Sequence, residues 1–75
     1  MSDHLLAAIG GKIKEKRLNK NLSQEALASR AELDRTYISG VERGKRNVSL
    51  LNLFKIAQAL EIQATELIDI GVTND

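Results

Sequence analysis

Seventy-five residues leave room for one domain with one core, because short chains bury a smaller share of their surface than long ones. Hydrophobic residues make up 43% and charged residues 28%, which excludes a disordered chain; with no cysteine, neither a disulfide framework nor a thiolate metal site can brace it. The net charge of +1 conceals a division, since eleven Lys and Arg stand against six acids through Lys55, a balance of +5, and four acids without a base follow, −4.

A basic body with an acidic end suits a polyanion-binding surface on one side, although a charge run is also what any solvated helix face presents. Proline is absent and only five glycines occur, so the punctuation of strands and hairpins is missing and an all-α fold is expected. No apolar run approaches the roughly 18 to 20 residues of a membrane span, and no secretory pattern opens the chain. A cytoplasmic protein without a membrane partner is the expectation.

Five helices follow from a repeated spacing, in which an apolar residue just before a helix cap packs on another five positions later. The pairs are Leu22 with Leu27, Leu33 with Ile38, Val48 with Leu53 and Ile62 with Leu67, around Ser23, Asp34, Ser49 and Gln63. The first three of those intervening residues are good caps, because a side-chain oxygen can accept from the open N–H groups of the first turn. Gln63 is a poorer one.

The first helix starts near Ser2 or Asp3 and ends around Asn19 to Asn21, with Leu6, Ile9, Ile13 and Arg17 along one face. The second runs from Gln24 to about Arg30 and turns Leu27, Ala28 and Ala31 inward; it is too short to stand alone. Three or four residues later the third begins at Arg35 and continues to about Arg43, where Gly44 can end it in a left-handed conformation. Two short helices so tightly joined form a helix-turn-helix. The fourth covers Leu50 to Leu60, with Leu53, Ile56, Ala57 and Leu60 inward. The fifth runs from about Ala64 to Ile70 and is closed by Gly71. Residues 1–71 are expected to form a single helix-turn-helix domain, and 72–75 a disordered tail.

On a helical wheel Ile38 and Val41 fall together on the core side of the third helix, with Tyr37 at its edge. Arg35, Thr36, Ser39, Gly40 and Arg43 lie opposite, within an arc of about 140°. Arg can bond guanine O6 and N7 in bidentate fashion, and Thr and Ser can reach base edges or phosphate. Any surface helix turns polar residues outward, so this helix alone decides little. Its surroundings add weight. Arg43 to Asn47 form a basic loop suited to phosphates, or to a base if an Arg enters the groove. Gln24 opens the second helix, whose free N–H groups favour a phosphate. Gly40, costly inside a helix, implies a close approach by something.

The run LSQEALASRAELDRTYISGVERGKRNVSLLNLFKIAQAL, residues 22–60, resembles the Cro/C1-type (XRE) helix-turn-helix family, and the similarity spans residues 5 to about 70. Ser23, Gln24 and Glu25 match its characteristic start, Ala28 its small residue, and Ile38 and Val41 the apolar positions of its third helix. Within it, LDRTYISGVERGKRNVSLLNL resembles the controller proteins of restriction-modification systems. The resemblance implies a compact five-helix, lambda-repressor-like domain whose third helix enters the major groove. It implies base contacts by Arg35, Thr36 and Arg46, and backbone contacts by Gln24, Tyr37, Ser39, Arg43 and Asn47, with Tyr37 equally readable as a core-edge residue. It also implies a structural ion pair of Arg17 with Glu42. Two positions depart from the pattern: Glu32 stands where the turn usually has a left-handed glycine, and Gln63 where the fifth helix usually has a Ser or Thr cap.

Leu51 and Phe54 lie roughly 100° or more from the inward stripe of the fourth helix, and Ile68 lies off the inward face of the fifth. A second apolar patch implies a partner, here a second copy, unless a wide core groove covers it within one subunit. The family supports a twofold dimer there. Double-stranded operator DNA is the expected ligand, and the resemblance allows two dimers on adjacent sites and RNA polymerase as further partners. No cofactor, metal or catalytic residue is expected: His4 is the only histidine and no carboxylates cluster beside it. A phage-type or general XRE repressor, or an antitoxin-like DNA-binding adaptor, remain the other readings.

Overall fold

The computed structural model describes residues 3–69, which form five helices and, among the described residues, no strand. The helices are α1 (Asp3–Asn19), α2 (Gln24–Ala31), α3 (Arg35–Glu42), α4 (Leu50–Leu60) and α5 (Thr65–Ile68). Among the described residues no helix is long and apolar enough to cross a membrane. The expected end of the fifth helix at Ile70 and Gly71, and the tail at 72–75, lie outside the described residues.

Three of the four expected caps form with side-chain oxygens. Ser23 Oγ accepts from Ala26 N at 2.9 Å, Asp34 Oδ1 from Thr36 N at 2.9 Å, and Ser49 Oγ from Asn52 N at 3.1 Å. At Gln63 the arrangement runs the other way, its backbone N–H donating to Glu66 Oε2 at 3.1 Å, which is half of a capping box. The N–H groups of Glu66 and Leu67 donate three residues back, to Gln63 and Ala64, a tight 3₁₀-like entry. Thus α5 starts at Thr65 rather than near Ala64.

The helix ends share one device. After α1, α2 and α4 the chain turns through a left-handed residue, Asn21 (φ 58), Glu32 (φ 58) and Glu61 (φ 59), and after α3 through Gly44 (φ 71). At each end two N–H groups fold back on the last turn, as when Leu33 N donates to Ala28 O at 2.9 Å and Ile62 N to Ala57 O at 3.0 Å, satisfying carbonyls that the helix leaves open. Glu32 therefore has the left-handed conformation expected of that turn, and Asn21 and Glu61 share it. Leu22, Leu33 and Ile62 follow directly and pack against the core, while Leu27, Ile38, Leu53 and Leu67, the second members of the four staple pairs, are buried.

α2 packs on α3 and α4, and α1 spans the molecule against α3, α4 and α5. The stripes read from spacing meet in one core of Ile13, Leu27, Ile38, Val41, Ile56, Leu60 and Leu67, all essentially without solvent exposure. Each large aliphatic side chain so buried stabilises the fold by roughly 1.5–3 kcal/mol. The crossing of α1 with α3 is unusually close, since a β-carbon at Gly10 would collide with the carbonyl oxygens of Val41 and Glu42. Only a glycine lets the α1 backbone meet the end of α3 in this way.

Candidate nucleic-acid interface

α3 is held from both ends and from behind. At its start Asp34 accepts from Thr36 N and also from Thr36 Oγ1, the latter at 2.7 Å. These two bonds, the hydroxyl first, hold the Asp34 carboxyl below its ordinary range, with a smaller contribution from the positive charge of Arg46. At its end Glu42 is buried and receives Arg17 Nε at 2.7 Å, an Arg17 terminal nitrogen at 3.0 Å and Gln24 Nε2 at 3.1 Å. Another Arg17 nitrogen donates to Leu22 O at 2.8 Å, so one guanidinium ties α1, the α1–α2 joint and α3 together. Behind it, Ile38 and Val41 are in the core.

The outward side presents Arg35 and Thr36, both exposed, with Ser39 and Tyr37 half-buried and Arg43 exposed at the end. Among the described residues Arg35 has no hydrogen bond or ion pair, leaving its guanidinium fork available to a ligand. Because the Thr36 hydroxyl gives its proton to Asp34, Thr36 offers a ligand an acceptor and a methyl group, a set that suits a thymine methyl or an exocyclic amine. Gln24 spends one N–H on Glu42 and keeps its carbonyl oxygen and second N–H for other partners. Arg43 Nε donates to Ser39 O at 3.3 Å.

Gly40 corrects the wheel. Placed there on the exposed arc, it is buried, because the side chain of Arg46 lies across it. The close approach implied by a mid-helix glycine is made by the chain itself. The Arg46 guanidinium carbon lies 5.1 Å from the Tyr37 ring centroid, within cation–π range. The Tyr37 hydroxyl donates to Asn47 O at 3.3 Å. Tyr37 thus packs against the core cluster, as the core-edge reading expects, and also holds Arg46 and the Asn47 carbonyl of the basic loop.

Away from α3, Leu51 (67% exposed), Phe54 (56%) and Ile68 (50%) stand in solvent, and no core groove covers them. Leu50, at 71% the most exposed large apolar side chain among those described, joins this patch beyond the residues expected from sequence. It precedes Phe54 by one helical turn, which places the two on the same side and was the available signal. Beside Phe54 an open depression of about 500 Å³ is lined by Ala57, Ile62 and Ala64, with Glu61 and Glu66 at its rim. Those acids pair with α1, Glu66 with Lys16 at 3.4 Å and Glu61 with Lys20 at 3.7 Å. No group of His, Cys, Asp and Glu able to hold a metal occurs among the described residues.

A cationic, outward-facing α3 braced by a tightly joined α2 defines a sequence-specific, DNA-binding transcriptional regulator of the helix-turn-helix class. The helix-turn-helix family model matches residues 13–67. The chain is 49% identical over 70 residues to the control protein C.BamHI of Bacillus amyloliquefaciens, covering 92% of this chain and 86% of that one. Among solved structures, the restriction-modification controller protein C.AhdI from Aeromonas hydrophila superposes with a TM-score of 0.82 at 53% identity, over 83% of this chain and 94% of that one. The controller protein C.Esp1396I, solved as a tetramer in complex with its natural 35 base-pair operator, superposes with a TM-score of 0.79 at 42% identity, over 87% of this chain and 86% of that one. The chain belongs to the Cro/C1-type helix-turn-helix family, among the restriction-modification controller proteins.

Proposed function

We propose that the protein controls a restriction-modification operon by binding a pseudo-palindromic operator as a homodimer. Arg35, Thr36 and Arg46 read base edges, while Gln24, Tyr37, Ser39, Arg43 and Asn47 hold the sugar-phosphate backbone. The observation that carries this reading is the outward side of α3, where exposed Arg35 and Thr36 are joined by an arginine from the following loop stacked on Tyr37. Cationic and hydrogen-bonding groups converge there on one helix of major-groove width.

The second copy docks on Leu51, Phe54 and Ile68, extended by Leu50. These are the large apolar side chains that the fold leaves outside its core on α4 and α5, on the acidic, C-terminal part of the chain. Twofold symmetry then sets two α3 helices on successive major grooves. A solved relative assembles as a tetramer on its operator, which supports a second dimer on an adjacent site here, with RNA polymerase a further partner at low occupancy.

Selection of bound sequences from a random oligonucleotide pool tests this. The expected result is a site with twofold-related half-sites, their centres about 10 base pairs or a multiple of it apart, and an affinity that falls steeply with salt. A bound pool without twofold-related preference, or a complex indifferent to salt, would overturn it.

A further inference from the structure

A loop arginine ordinarily samples many rotamers, and ordering it on a ligand carries an entropic cost. Arg46 is already ordered. Its Cγ and Cδ each lie 2.8 Å from where a β-carbon on Gly40 would stand, so the aliphatic stem crosses α3 at its one residue without a side chain. The charged head continues over the Tyr37 ring and near enough to Asp34 to help lower that carboxyl's pKa. The Tyr37 hydroxyl holds the backbone of the next residue, Asn47. Stem, head and following peptide are therefore held by two residues of α3, Gly40 under the stem and Tyr37 under the head and the peptide.

We infer that Gly40 is a specificity-determining residue that acts without touching DNA: its missing side chain is the channel through which Arg46 is led toward Arg35 and Thr36 and aimed at one base. The inference rests on the proposed base-reading role of Arg46. Glycine is a poor helix former, and nothing in the backbone at this position requires it, since α3 is regular through Gly40. The atoms that a methyl group would meet belong to the flexible Arg46 stem rather than to a neighbouring helix. An alanine would be accommodated by the fold and would displace Arg46 from its track, unseating the guanidinium from Tyr37.

The test compares the wild type with Gly40→Ala, Arg46→Ala and the double variant, using the selected operator and its single-base variants. Gly40→Ala is expected to melt at or above the wild-type temperature and to keep the preferences that depend on Arg35. It should lose on the order of tenfold discrimination at the one position that Arg46→Ala relaxes, and add nothing in the Arg46→Ala background. Tyr37 is the only tyrosine and tryptophan is absent, so tyrosine emission of the free protein reports the stacking directly and should change alike in both single variants.

Full retention of discrimination by Gly40→Ala overturns the inference. So does a further loss in the double variant, which would show that the glycine serves close approach of the DNA, and so does a clear fall in melting temperature, which would mark it as a packing residue. If Arg46→Ala relaxes no base at all, the reading of Arg46 itself is what fails, and the inference goes with it.

Discussion

Arg17 at the end of α1 and Glu42 at the end of α3 are joined by two hydrogen bonds, of 2.7 and 3.0 Å, with both side chains almost wholly out of water. Leu22 O and Gln24 take up further bonding positions of the same pair, and no buried side-chain polar atom among the described residues is left without a partner. A carboxylate on the last turn of the recognition helix is thereby fastened to the helix that spans the fold. Removing one partner strands a charge in the interior, and breaking such a pair costs about 3–5 kcal/mol. Arg17→Ala and Glu42→Ala are each expected to lose that much in urea unfolding, a large part of a small domain's stability. The double replacement Arg17→Met with Glu42→Leu should lose less than either. A double variant less stable than both singles would show that the pair is a net stabiliser.

Glu32 sits at φ 58 and ψ 43 between α2 and α3, a conformation that costs a residue with a β-carbon roughly 1–2 kcal/mol. Among the described residues its side chain has no hydrogen bond or ion pair to offset this. Glu32→Gly should raise stability by about 0.5–1 kcal/mol once glycine's greater unfolded-state freedom is counted, or a few degrees in melting temperature. DNA affinity should not change. A lower melting temperature by calorimetry would contradict the account of this turn.

Asp34 caps the recognition helix, and the two bonds from Thr36 hold its carboxyl below the ordinary value of 3.8. A depressed folded-state pKa contributes stability that is fully present above the unfolded-state value and is lost as the pH falls through the lower folded-state value. Melting temperature should therefore be insensitive to this group above about pH 5 and decline below it. In Asp34→Asn, which can still cap, the acid decline should be shallower. A remaining slope is expected from Glu66, whose carboxyl is lowered by the backbone N–H of Gln63 and by Lys16. Superimposable acid profiles for wild type and Asp34→Asn would remove the carboxylate from the cap.

Ile68→Asp places a charge on the proposed twofold surface, and Phe54→Ala removes its aromatic contact. Both residues are half-exposed in the single chain, so the subunit fold should survive each change. Sedimentation at low micromolar concentration is expected to give a monomer for Ile68→Asp and a weakened dimer for Phe54→Ala. Either protein sedimenting as a fully formed dimer would move the interface elsewhere.

The sequence makes α1 to α4 legible to within a residue or two: α1 through the spacing of Leu6, Ile9, Ile13 and Arg17, and the starts of α2, α3 and α4 through an apolar residue, a cap (Ser23, Asp34 or Ser49) and a second apolar residue at fixed distance. The core stripes followed from the same periodicity. Less visible were features that depend on which side chain occupies a given space. The left-handed turns at Asn21 and Glu61 carry no glycine to announce them, and only Glu32 was marked, by its contrast with the family. At α5 the Gln63 cap gave no firm boundary. Gly40 lies on the polar arc by angle alone, and its burial could not be seen because it comes from Arg46, six residues further on. The exposure of Leu50 is set by where α4 begins, which the periodicity of the inward stripe does not show.

Three of the helix joints follow one rule: a left-handed residue, an apolar residue and a polar one, as in Asn21-Leu22-Ser23, Glu32-Leu33-Asp34 and Glu61-Ile62-Gln63. The apolar member serves the helix behind it and the helix ahead, so these joints have no slack, and adding a single residue would disrupt two helices at once. Between α3 and α4 the rule is relaxed. Lys45, Arg46 and Asn47 stand between the left-handed Gly44 and the apolar Val48. That short stretch is the one place among the described joints where sequence can vary without disturbing the scaffold, and it borders the side of α3 that carries Arg35 and Thr36. Divergence among related chains, or deliberate retargeting to a new site, can therefore proceed in these three residues while the rest of the architecture stays fixed.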